Sequence, residues 1–202
     1  MTQLTNKKIF ALTGMSGAGK STVCKCFSEN GFYVIDCDLV AREVVQTGCP
    51  ALSELSRHLS SDLIRSDGTL DRRMTAELIF NDPIKRNLFN RIIYPYITYN
   101  IICKIKAAQS NILLDAPTVF EAKLQGMCDK IVSVCADTKI CIKRIMDRDK
   151  IPYELAEARL KSQHNIEFFR ENTDYCIENN GTKKELLESI QQIISELSKG
   201  GQ

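Results

Sequence analysis

Gly14-Met-Ser-Gly17-Ala-Gly19-Lys20-Ser21 is the stretch on which the reading of this chain turns. It matches G-x-x-x-x-G-K-[S/T] and stands between an apolar run, Lys8 to Thr13, and a helical stretch from Lys20 to about Asn30. A strand, a glycine-rich turn and a helix start are the context this motif requires. Its glycines let the backbone wrap around a phosphate with N–H groups pointing inward. The helix beginning there adds the positive end of its dipole. Lys20 then reaches the β- and γ-phosphates, and the Ser21 hydroxyl ligates Mg²⁺. The alternative, a chance glycine-rich turn with a surface lysine, leaves the placement at the first strand–helix junction unexplained. The expected ligand is a nucleoside triphosphate.

Working outward, strands and helices alternate. Gly31 reads as the stop of the first helix, Phe32 to Asp36 as a second strand, Asn111 to Leu114 and Lys130 to Cys135 as a third and fourth, and Tyr175 to Ile177 as a weak fifth. Thr182-Lys-Lys-Glu185 is a capping box, and Leu186, Leu187, Ile190, Ile193, Ile194 and Leu197 then repeat on one helical face. Strands separated by helices predict an α/β fold with a five-stranded parallel sheet covered on both sides. Leu39 to Gln109 and the charged segment Asp149 to Asp174 break the alternation and read as helical insertions. Insertions at such places approach the carboxyl ends of the strands, where ligands bind in open α/β sheets. The tail, Lys199 to Gln202, is expected to fray.

Composition removes other classes. The 202 residues, 44% hydrophobic and 26% charged, suit one globular domain. Twenty-seven Lys and Arg against 25 Asp and Glu give a net charge of +2, which argues against a general nucleic-acid binder. No apolar run reaches membrane-spanning length, and the N-terminal stretch reads as neither signal peptide nor anchor. Nine cysteines without a secretory segment predict free thiols, mostly small core hydrophobes, in a reducing cytoplasm. Without C-x-x-C pairs, and with only His58 and His164, a zinc site is not expected.

The residues also narrow the kind of phosphate-loop protein. A GTPase would need D-x-x-G and N/T-K-x-D, and a protein kinase a catalytic loop of the H-R-D type; none of these occurs. A small-molecule kinase or an ATPase remains. The second strand ends in Asp36-Cys37-Asp38. Beside a phosphate loop, one carboxylate can accept the proton of an incoming hydroxyl and the other can orient Mg²⁺ through water. The competing reading makes Asp38 the N-cap of a helix from Leu39 to Gln46. Asp115 ends another apolar strand and suits a carboxylate near the metal, or an ordinary loop residue. Arg144 and Arg148 lie one turn apart, with Arg159 on the next helix. An arginine there can stabilise charge on a transferring phosphoryl group, the role expected of Arg148, or belong to a solvated face.

Five segments, in order, resemble the dephospho-coenzyme A kinase family: Ala11 to Thr22, Val34 to Arg42, Asp67-Gly-Thr-Leu-Asp-Arg72, Asp115 to Glu121, and Arg148-Asp149 with Gln163 and Thr173 to Gly181. The resemblance implies transfer of the ATP γ-phosphate to the ribose 3′-hydroxyl of dephospho-CoA, the last step of coenzyme A biosynthesis. It implies nucleotide binding by Gly14, Gly17, Ala18, Gly19, Lys20, Ser21 and Thr22, with Lys20 also catalytic. Asp38 becomes the base, Asp38 and Arg42 acceptor-binding residues, Arg148 a lid arginine, and Ser21 and Asp36 the metal side. Residues 1–38 and 110–202 would form the core, with a lid at about 148–170, and 39–109 the acceptor-binding insertion. A cytoplasmic monomer is expected, a small homo-oligomer being the alternative, with no nucleic-acid or membrane partner. The chain departs from the family at Met15-Ser16, at Tyr94 before Pro95, and at Thr118-Val119. A shikimate-kinase-like or adenylate-kinase-like enzyme and an ATP-binding regulator without transfer activity are the competing readings.

Overall fold

The fold was obtained as a computed structural model, which describes residues 7–80 and 82–199. Residues 200–202 of the tail expected to fray lie outside the described residues. The chain folds as two compact units, Met1–Ile35 with Ala108–Gln202, and Asp36–Ala107.

The first unit carries the sheet. Its strands are β1 (Ile9–Gly14), β2 (Tyr33–Asp36), β3 (Ile112–Asp115), β4 (Lys130–Cys135) and β5 (Tyr175–Glu178), in the order β2-β3-β1-β4-β5. β1 pairs in parallel with β3 and β4, and β4 with β5. Phe10, Ala11 and Leu12 of β1 are buried, as are Ile112, Leu113 and Leu114 of β3 and Val132 and Val134 of β4. These near-continuous apolar runs are what a parallel sheet covered on both faces demands. The chain moves to one side of β1 for β2 and β3, then crosses to the other for β4. That reversal opens the crevice at the carboxyl ends of β1 and β3, where the phosphate loop begins.

Helix α1 (Lys20–Glu29) buries Val23, Cys26 and Phe27, and ends as expected where Asn30 and then Gly31, at φ 84°, turn the chain. Further on come α6 (Thr138–Asp149), α7 (Tyr153–Lys161), α8 (Ile166–Asn172) and α9 (Lys183–Lys199). The predicted capping box opens α9. Thr182 Oγ1 accepts from the Glu185 N–H at 3.3 Å, and Glu185 Oε2 accepts from the Thr182 N–H at 2.6 Å. Leu186, Ile190, Ile194 and Leu197 then enter the core, with Leu187 and Ile193 packed at its margin. All nine cysteines are free thiols; Cys26, Cys37, Cys135 and Cys141 are buried.

The second unit is helical: α2 (Cys37–Glu43), α3 (Pro50–His58), α4 (Arg72–Phe80) and α5 (Pro83–Ala107). Val40, Leu52, Leu55, Ile93, Ile97 and Ile101 are among its buried side chains. Pro95 interrupts the hydrogen bonding of α5 without ending it. The division at Asp36 falls earlier than the 38/39 boundary expected from the sequence. Asp36, not Asp38, caps α2, its Oδ1 accepting the Leu39 N–H at 2.9 Å. The capping alternative for Asp38 is therefore corrected: the helix starts two residues before Leu39, which places Asp38 inside its first turn. Among the described residues, no helix is long and apolar enough to cross a membrane.

Candidate active site

The Gly14–Ser21 loop leaves β1 and is tied to β4, the Met15 N–H donating to the Val134 carbonyl at 3.0 Å. Gly14 sits at φ 136°, and a Cβ there would run into that same carbonyl. Gly19 sits at φ 103°, where a Cβ would lie 2.5 Å from Asn179 Nδ2. Positive φ and these close approaches leave room for glycine only.

Two side chains brace the loop from outside. Buried Asn179 donates from Nδ2 to the Ala18 carbonyl at 2.7 Å, while its own N–H donates to the Cys135 carbonyl at 2.8 Å. Arg144, half-buried on α6, reaches the Gly17 and Ala18 carbonyls, both at 3.4 Å, and the Asn179 carbonyl at 3.2 Å. In a planar trans peptide the N–H is opposite the C=O, so drawing the Ala18 carbonyl outward aims the Gly19 N–H to the other side. The Ser16 N–H donates outside the loop, to Gln163 Oε1 at 2.9 Å.

Lys20 forms an ion pair with Asp115, both side chains about a fifth exposed. The β1–β3 register brings this about by placing Leu12 beside Asp115, the last residue of β3. A cation on the loop and a carboxylate at the adjacent strand end thus share one place in the crevice. Ser21 and Thr22 occupy the first turn of α1. Among the described residues, no group of three or more His, Cys, Asp or Glu side chains forms a metal cage.

Beyond α6 the chain turns at Lys150, a left-handed residue at φ 54°, and Pro152 precedes α7. Arg148 donates to both carboxylate oxygens of Asp149, at 2.7 and 2.9 Å, and Arg159 pairs with the same group. The hydrogen bonds from Arg148 act most strongly; burial opposes them, the charges of Arg148 and Arg159 reinforce them, and together they hold the Asp149 carboxyl at about 2. A depressed folded-state value means stabilisation above the ordinary carboxylate value and its loss as pH falls toward about 2. Asp149→Asn should therefore lower the unfolding midpoint by a constant amount from pH 7 to about pH 5, with the gap narrowing below about pH 4. Thermal unfolding of both proteins across that range checks this; a gap that widens on acidification would contradict it. Beside the loop, a cavity of about 380 Å³ is lined by Met15 and Thr138 together with Leu160, Gln163 and His164.

In the second unit, exposed Asp38 and Arg42 stand one turn apart on α2, and Asp36 caps that helix.

Comparison with known proteins settles the family. The dephospho-CoA kinase family model matches residues 8–185. A dephospho-CoA kinase of Enterococcus faecalis is 32% identical over 192 residues, covering 94% of this chain and 96% of that protein. One from Staphylococcus saprophyticus is 34% identical, covering 94% and 93%. The solved structure of the Campylobacter jejuni dephospho-CoA kinase superposes with a TM-score of 0.72 at 25% identity, over 97% of this chain and all of that one.

The chain belongs to the dephospho-CoA kinase family.

Membership makes it a kinase of the phosphate-loop fold, catalysing ATP-dependent phosphorylation of dephospho-CoA in coenzyme A biosynthesis. ATP-using kinases of this kind work with a divalent metal ion. Within this dephospho-CoA kinase family member, the structure brings Gly14, Gly17, Ala18, Gly19 and Lys20 together around one loop and adds Asp115. It places Arg148 on Asp149, beside Arg159. Nothing in the sequence assigns Arg144 or Asn179 to the loop. Arg144 reads there only as the neighbour of Arg148 one turn away, and Asn179 only as part of the Thr173–Gly181 segment. No local signal distinguishes a loop-bracing arginine from a solvated one.

Proposed function

We propose that this kinase transfers the γ-phosphoryl group of ATP to the ribose 3′-hydroxyl of dephospho-CoA, releasing CoA and ADP as the last step of coenzyme A biosynthesis. The observation that carries the reading is the Gly14–Ser21 cradle at the ends of β1 and β3, with Lys20 held on Asp115. Gly14, Gly17, Ala18, Gly19, Ser21 and Thr22 bind the phosphates by backbone N–H groups and hydroxyls. Lys20 exchanges its carboxylate partner for β- and γ-phosphate oxygens as charge develops there. Arg148, delivered by the 148–170 segment, adds a second cation, and closure of that segment excludes water. Asp38 accepts the hydroxyl proton, and the helical unit, with Arg42, holds the acceptor.

The donor set fits Mg²⁺. The Ser21 hydroxyl and the Asp36 and Asp115 carboxylates are hard oxygen donors, few enough for an ion that keeps several waters and takes substrate phosphates as ligands. The ion would supply positive charge that offsets the charge of the nucleotide phosphates. Asp36 would be available to it through the oxygen that its cap to Leu39 leaves over. The nine free thiols support a reducing, cytoplasmic location.

The test is an acceptor panel of dephospho-CoA, shikimate, AMP and CMP with ATP-to-ADP coupling, and identification of the product by NMR. Turnover with dephospho-CoA and a phosphate on the 3′-oxygen are expected. Phosphorylation at another oxygen, or faster turnover with a different acceptor, would overturn the reading.

A further inference from the structure

Two of the nine free thiols stand apart by their placement. The β4–β5 register sets Ser133 beside Cys176 and Cys135 beside Glu178. Residues paired across neighbouring strands, and residues two apart on one strand, share a face of the sheet. Cys135 and Cys176 are therefore diagonal neighbours on one side, with their Sγ atoms 3.4 Å apart. Cys135 is buried and Cys176 half-buried. The Ser133 hydroxyl lies against Cys176 and meets Thr173 Oγ1 at 2.8 Å. Glu178, two residues beyond Cys176, forms an exposed ion pair with Arg170 at 2.6 Å.

The two thiols are chemically unlike. Hydrogen bonding from Cys135 acts most strongly on Cys176 and lowers its pKa from the ordinary thiol value. Burial opposes it, the Ser133 hydroxyl supports it, and the charges of Glu178 and Arg170 pull in opposite directions. Cys135 is raised by the same hydrogen bond and by burial, and stays a thiol. A thiolate is the nucleophile toward peroxides, and an adjacent thiol resolves the product. The pair also touches the hydrogen bonds that hold the phosphate loop. Cys135 is the last residue of β4, and its carbonyl accepts the N–H of Asn179, the residue that follows β5 and braces Ala18. Val134, one residue earlier, accepts the Met15 N–H.

We infer that Cys135 and Cys176 form a peroxide-responsive dithiol whose oxidation disturbs the brace on the phosphate loop and weakens ATP binding. The inference concerns the nucleotide side and does not depend on which acceptor the enzyme uses. The Cys176 thiolate attacks one oxygen of hydrogen peroxide. An S–O bond forms, the O–O bond breaks, and the leaving hydroxide takes up the proton that Cys176 gave, becoming water. The Cys135 sulfur then attacks the Cys176 sulfenic acid. The S–S bond forms, the S–O bond breaks, and hydroxide departs as water with the Cys135 proton. In sum, two thiols and one hydrogen peroxide give one disulfide and two waters; both sulfurs are oxidised and the peroxide oxygens reduced. A disulfide holds its sulfurs about 2 Å apart, so the ends of β4 and β5 must draw together. A close-packed interior passes such a shift to its neighbours, here the Cys135 carbonyl and Asn179. In a reducing compartment a disulfide of this kind is transient and redox-sensing.

Trypsin would separate the two cysteines into residues 131–139 and 171–183, each holding a single cysteine. After treatment of the whole protein with hydrogen peroxide, non-reducing mass spectrometry should find these peptides joined, lighter than their sum by two hydrogens, and dithiothreitol should release them. Calorimetric titration with ATP and Mg²⁺ should show Kd rising by about tenfold on oxidation, the scale of one lost charge-assisted hydrogen bond, and returning on reduction. Cys176→Ala should bind ATP as the reduced wild type does and keep that Kd after peroxide. Cys135→Ala should leave a sulfenic acid on Cys176 that dimedone labels. No linked peptide in the oxidised wild type would overturn the inference. So would a linked protein with unchanged Kd, or a Cys176→Ala variant that loses affinity as the wild type does. Failure of the reduced wild type to bind ATP would instead sink the nucleotide reading of the loop, and it shows before any oxidant is added.

Discussion

Asp38→Asn is expected to lower kcat with dephospho-CoA by about 10²- to 10⁴-fold and to leave the KM for ATP near the wild-type value, the range for removing a general base. Asparagine keeps the size of the side chain and a hydrogen-bonding oxygen but cannot take up the hydroxyl proton. Asp38 is exposed in the first turn of α2, where a carboxylate also favours the helix dipole, a contribution of about 0.3–1 kcal/mol. The substitution therefore costs little stability, and the cap of α2 stays on Asp36. Rates measured at saturating ATP and dephospho-CoA decide the matter. A variant within threefold of the wild type would remove Asp38 as the base and leave it a helix-terminus charge.

Lys20→Met is the second large effect. Here kcat should fall by about 10²- to 10³-fold, the size seen when one preorganised donor to a developing negative charge is removed. The KM for ATP should rise as well, because in the proposed mechanism the same ammonium meets the phosphates in the ground state. Lys20 also neutralises Asp115, so the single substitution leaves a mostly buried carboxylate without its cation and lowers the unfolding midpoint. Pairing Lys20→Met with Asp115→Asn separates the two effects. The double variant should regain stability but not turnover. If turnover returned with stability, Lys20 would be a structural ion-pair partner rather than a catalytic residue.

Much of the fold was legible because its signals are local. β4 matches the predicted stretch, and the other strands are displaced at their ends by a residue or so, since strand ends depend on neighbours rather than on the apolar run itself. The capping box of α9 needs only Thr182 and Glu185, three residues apart, and formed as written. The start of α2 differs from the expected one for a related reason. Asp36 and Asp38 are equally good caps by residue type, and the competition is settled by where β2 releases the chain. The two arginines of α6 show the opposite limit. Arg144 and Arg148 share one helix and one charge, yet Arg144 braces Gly17 and Ala18 while Arg148 pairs with Asp149.

By itself, the sequence determined the phosphate-loop motif, the alternation that makes a parallel sheet, and the residues resembling the kinase family. Each is a pattern over a few positions, set by steric freedom at glycine, by hydrophobic period or by turn chemistry. Only the tertiary structure decided which distant groups meet. Lys20 meets Asp115, 95 residues away, because β1 and β3 are neighbours in a particular register. Asn179 reaches Ala18 across 161 residues because β5 ends beside the loop. An arginine-lined cavity of the helical unit likewise brings Arg42 of α2 together with Arg65 and Arg72. Such meetings depend on how the sheet and helices pack, a property of the whole chain that no short window of residues contains.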